Sequence, residues 1–101
     1  MIDNCKKFIE LIKKEKFYDA HEILEEIWFP KRKEKSSEIL IIKGFINASV
    51  ALELKRLKKD SNAKKVWNNY LKYKPLIKKC DIKIFKEIEN LLDSCYEKYL
   101  S

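Results

Sequence analysis

Glycine is almost missing from this chain: Gly44 is the only one in 101 residues, and Pro30 and Pro75 are the only prolines. Tight hairpin turns draw on these residues, so their scarcity argues against a β-rich fold. A single glycine also excludes any glycine-rich loop that cradles phosphate. His21 is the only histidine. A zinc site would therefore need carboxylates or thiols from elsewhere to complete it, and no metal or cofactor is predicted. Three cysteines, Cys5, Cys80 and Cys95, are an odd number without CxxC spacing. They fit reduced thiols in the cytosol rather than a disulfide framework. Long apolar runs are missing as well. Ile39–Ile42 is far too short to span a bilayer, and Met1–Lys7 lacks the apolar core of a signal peptide. The expectation is a cytoplasmic chain that does not engage a membrane.

Apolar residues make up 46% of the chain and charged residues 39%. That pairing suits one globular helical domain over residues 1–101. The net charge is +7, unevenly spread: residues 1–28 carry a balance of −2 and residues 29–101 a balance of +9. A basic body suggests nucleic acid or an acidic partner. Against this, all but Arg32 and Arg56 of the basic residues are lysines in an Ile- and Asn-rich chain, the mixture that an AT-rich genome tends to encode.

Apolar spacing predicts five helices. The first covers residues 3–14, with Asp3 as N-cap and Cys5, Phe8, Ile9 and Ile12 on one face. The second runs from Phe17 to Phe29, ended by Pro30, with Ala20, Leu24, Ile27 and Trp28 facing inward. The third, residues 37–58, capped by Ser36 or Ser37, is apolar almost all round and is predicted to be the central, wrapped helix. The fourth starts at Asp60 or Ser61, buries Ala63, Val66, Trp67, Tyr70 and Leu71, and stops at Pro75. After a connection, Asp81 caps a fifth helix to about Tyr99. The fold class is thus all-α, a compact bundle with no convincing internal repeat.

Within the second helix, Phe17, Ala20, His21, Glu22, Glu25 and Trp28 spell F-x-x-A-H-E-x-x-E-x-x-W. This motif resembles the domain-of-unknown-function family numbered 309. A second stretch of that family, G-[LF]-I-Q-x-A-x-A, is similar to Gly44-Phe45-Ile46-Asn47-Ala48-Ser49-Val50-Ala51, with Asn47 in place of glutamine and the small residues shifted by one. A third, a G-N-x-x-G-A turn, is echoed by Asp60-Ser61-Asn62-Ala63 without its glycines. The resemblance implies a compact all-α bundle and assigns no activity.

At about 100° per residue, His21, Glu25 and Trp28 form one row at the border of the apolar face, while Glu22 and Glu26 point away. One turn apart, His21 and Glu25 can share a proton or grip a ligand. Asn47, mid-way along the third helix, is predicted to face the second helix within hydrogen-bonding reach of His21. The leading expectation is a binding or interaction domain whose groove, lined by His21, Glu25, Trp28 and Asn47, takes a small polar ligand or a protein partner. One alternative is a hydrolase-type enzyme with His21 as general base and Glu25 orienting it. The other is a nucleic-acid binder using a basic knuckle of Lys55, Arg56, Lys58, Lys59, Lys64 and Lys65.

Overall fold

The computed structural model describes all of residues 1–101. Five α-helices follow one another: α1 (Ile2–Lys13), α2 (Phe17–Trp28), α3 (Ser37–Arg56), α4 (Asp60–Tyr73) and α5 (Lys83–Cys95). The chain takes short 3-10 turns at Phe29–Lys31 and Lys74–Lys79, each with a proline in its first two positions, and closes on a π-turn over Tyr96–Leu100. Pro30 and Pro75 thus tighten the helix ends into 3-10 geometry, since proline cannot donate to the preceding turn.

Two predicted caps are corrected. α1 starts one residue before Asp3, which lies in the first turn and complements the helix dipole instead of capping it. α5 begins at Lys83 behind Ile82, and Asp81 makes no capping bond. Ser36 does cap α3, its hydroxyl accepting from the Ile39 N–H.

α3 is the hub and packs most extensively against α4 and then α2, while α1 lies against α2 and α5. Ile39, Ile41, Ile42, Phe45, Ala48, Ala51 and Leu52 are all buried. The Phe45 ring touches three other helices, lying 6.2 Å from Phe8 of α1, 6.1 Å from Tyr70 of α4 and 5.6 Å from Phe85 of α5. Gly44 lets α4 come this close. A Cβ built there would stand 3.1 Å from the Tyr73 Cβ and 3.5 Å from the Tyr70 ring. The expectation that α3 is enclosed on every side is corrected. Leu40, Lys43, Asn47, Val50 and Leu54 recur at helical spacing and form a half-exposed strip.

The structure also contains a repeat that the sequence hides. α1–α2 and α3–α4 are antiparallel hairpins joined by corners of one design. At each corner a non-glycine residue takes a left-handed conformation, Glu15 (φ 60°) and Lys58 (φ 63°). The next N–H reaches back five residues, Lys16 to the Leu11 carbonyl and Lys59 to the Leu54 carbonyl, the bond of a Schellman-type helix end. A fully buried alanine, Ala20 or Ala63, then stands fourth in the following helix. The corresponding core positions carry different side chains, so periodic patterns in the sequence miss the match. α5 packs on α1 and is linked to the end of α4 by a Lys74–Asp93 ion pair of 2.7 Å.

Candidate functional site

α2 positions three of the predicted site residues because its buried stripe, Phe17, Ala20 and Leu24, fixes the helix's rotation against the core. That rotation leaves His21 at the border, its side chain 15% exposed, and Glu25 one turn on, 46% exposed. The His21 Nε2 lies 3.3 Å from the Glu25 Oε1. The other ring nitrogen, Nδ1, donates to the Tyr18 carbonyl, so the imidazole is held from both sides. The exposed Tyr18 ring stands edge-on to the imidazole with centroids 4.7 Å apart. Trp28, two turns further along, is half-buried and packs against the core.

A further charge enters from α3. The Glu53 carboxylate accepts two bonds from the Arg56 guanidinium, at 2.8 and 2.7 Å. The Arg56 bonds hold its pKa below the usual carboxylate range, opposed by partial burial and helped by the charges of Arg56 and His21. The His21 contribution places Glu53 within electrostatic range of the α2 row. The site is therefore the His21–Glu25 pair of α2, with the Glu53–Arg56 pair of α3 as its electrostatic neighbour. Sequence reasoning overlooked Glu53. Its signal was the Glu53-x-x-Arg56 spacing, one turn of helix, in the only acid between Glu38 and Asp60.

Asn47 does not join this site, which corrects the expected contact. Its amide nitrogen donates to the Lys43 carbonyl one turn back at 2.8 Å, and its oxygen accepts from Asn69 of α4 at 3.4 Å. The side chain belongs to the open strip of α3 and looks toward α4. The basic knuckle does gather at the α3–α4 corner, but two of its six charges are partnered: Lys55 pairs with Asp60 at 3.1 Å and Arg56 with Glu53. Lys58 supplies the left-handed residue of the corner, Lys59 precedes α4, and Lys64 and Lys65 are exposed on its first turns.

None of the five main surface cavities includes His21, Glu25 or Trp28. The polar row lies outside these cavities. No three of the chain's His, Cys, Asp and Glu side chains converge as metal ligands.

A family model described as "Domain of unknown function (DUF309)" matches residues 5–66. The chain belongs to the DUF309 family. The match spans α1, α2, α3 and the first half of α4, and so takes in both hairpin corners and the whole polar row. α5 lies outside the DUF309 segment. No curated protein and no solved structure matches the chain. No helix is long and apolar enough to cross a membrane.

Proposed function

We infer that this DUF309 domain is a binding module whose polar edge, His21 and Glu25 of α2 with Glu53 and Arg56 of α3, recognises a polar segment of a protein partner. The observation that carries this reading is the fixed imidazole. With Nδ1 bonded to the Tyr18 carbonyl and Nε2 facing Glu25, the ring presents a set geometry with no mobile loop to order on contact. A polar row outside the main cavities suits an extended partner. A small substrate is normally held in a concave pocket that buries most of its surface. Trp28 supplies half-buried apolar area at the far end of the same row, and Asn47 lies outside it.

The hydrolase-type alternative draws less support from this geometry. A general base acts on a substrate held against it, and His21 lies outside the five main surface cavities. The test is a peptide-array screen with the intact protein, repeated with His21→Ala and Glu25→Gln. A peptide bound by the parent chain and lost by both variants, with the helical circular dichroism unchanged, supports the reading. Variants that melt at lower temperature yet keep every bound peptide would make the pair a structural brace and sink it.

A further inference from the structure

The lysines of this chain are not scattered evenly among its acids. Residues 61–80 hold six lysines and no carboxylate, and residues 39–52 hold Lys43 and no carboxylate. Codon bias accounts for many lysines, but not for the absence of acids along α4 beyond its first residue, Asp60. The fold sets these two acid-free stretches side by side, because α3 and α4 form the most extensive helix pair in the molecule. Their shared outer face is the open strip of α3 together with the exposed residues Lys65, Asn69 and Lys72 of α4.

Three contacts define the centre of that face. The Lys43 ammonium stands 5.8 Å from the centre of the half-buried Tyr73 ring, and the Lys72 ammonium 5.7 Å from the same ring. One turn away, the Asn69 amide donates to Asn47 across the helix pair. Neither Lys43, Lys65 nor Lys72 forms an ion pair, whereas Lys55, Arg56 and Lys74 each do. Two ammonium groups gathered at one ring without a carboxylate repel each other, and an anion beside them removes that repulsion.

We propose that the α3–α4 face, through Lys43, Lys65 and Lys72 flanking the Asn47–Asn69 amide pair and Tyr73, binds the phosphodiester backbone of a nucleic acid. Lysines supply the counter-charge and the amides offer donors and acceptors to phosphate and sugar. This face shares only Lys65 with the corner knuckle, two of whose charges are already paired with Glu53 and Asp60. It is also distinct from the His21 row. An anionic membrane fits the face less well, since lysines and amides occupy its centre and its apolar residues, Leu40, Val50 and Leu54, are only half-exposed.

The test is fluorescence anisotropy of the full chain with a short labelled single-stranded RNA, across a salt series. Lys43→Gln/Lys65→Gln/Lys72→Gln is compared with Lys6→Gln/Lys7→Gln/Lys13→Gln, which removes the same charge from α1. The face variant is expected to bind at least about ten-fold more weakly, with the slope of log affinity against log salt shallower by about 2 for three lost contacts on a single strand. The α1 variant should keep the parental slope. Should the face variant fail to fold, Lys65→Gln/Lys72→Gln, both exposed, is measured in its place. Absence of binding at low salt, equal losses in both variants, or binding to phosphatidylserine vesicles without binding to RNA would each overturn the proposal.

Discussion

Replacing Phe45 with alanine tests whether the core is organised around one ring. Phe45 is fully buried and meets Phe8, Tyr70 and Phe85, rings that belong to three different helices. Phe→Ala in a core costs about 3–5 kcal/mol, and more when the walls cannot collapse. Here the walls are stiff rings on separate helices, and each aromatic pair adds roughly 0.5–1.5 kcal/mol beyond area. The expected loss is therefore about 4–5 kcal/mol. A domain of this size has on the order of 5–15 kcal/mol in total, so the variant keeps a fold with little reserve. At about 4–8 °C per kcal/mol the midpoint should fall by on the order of 20 °C or more. Urea unfolding followed by circular dichroism gives the number, and a cycle with Phe85→Leu isolates one pair. A loss below about 2 kcal/mol would refute the hub, because it would mean that the three helices do not depend on this ring for their mutual packing.

Gly44→Val should cost about 1–3 kcal/mol by overpacking against Tyr73 and Tyr70, read from the shift in urea midpoint. Tyr70→Phe removes a hydroxyl that is buried without a partner and should be neutral or stabilising by up to about 1 kcal/mol; a large loss in the same assay would reveal a bond that the geometry lacks. The Glu53 carboxyl is more acidic folded than unfolded, so the Arg56 pair is at full strength above the usual value of 4.5 and fades as the pH falls below it. Glu53→Gln should accordingly cost about 0.3–0.5 kcal/mol at neutral pH, shrinking as the pH falls below 4.5 through the lowered folded value, measured by paired denaturation curves. Burial pushes the Cys5 thiol up to about 11, against a smaller opposing effect of the N-terminal ammonium, and burial also raises Cys95. Only the half-exposed Cys80 should react quickly with a thiol reagent in the native state, the other two appearing on unfolding. Since thiolate forms more easily in the unfolded chain, the Cys5 contribution to stability holds below about pH 9 and is lost as the pH rises toward 11.

The helices were legible because each carries its apolar stripe at unbroken helical spacing and because Pro30 and Pro75 mark two ends. The caps at Asp3 and Asp81 were misread in opposite directions: Asp3 lies inside the first turn of α1, where an acid complements the helix dipole, and Asp81 stands one residue before Ile82, the N-cap of α5. The angular argument placed His21 and Glu25 correctly, since both lie on one helix and one rotation fixes them. Asn47 and Glu53 depend on the rotation of a second helix that is apolar on most sides. With Ile, Leu and Ala all round α3, spacing alone left its orientation open, and only packing of Gly44 against Tyr73 decides it. The twin corners were invisible because a left-handed residue is usually signalled by glycine, and here Glu15 and Lys58 fill the role.

The contact between α1 and α5 governs the order in which the molecule assembles. Each hairpin closes over a short corner at small entropic cost, whereas docking α5 on α1 joins segments separated by most of the chain. Local pairing therefore runs ahead, and α5 arrives last with Phe85, Ile88 and Leu92. Until it does, the side of Phe45 that Phe85 will cover is open to water, in a species whose hairpins are already formed. Aggregation during refolding should thus track the delay in α5 docking, and be relieved by changes that favour α5 as a helix without touching the hairpins.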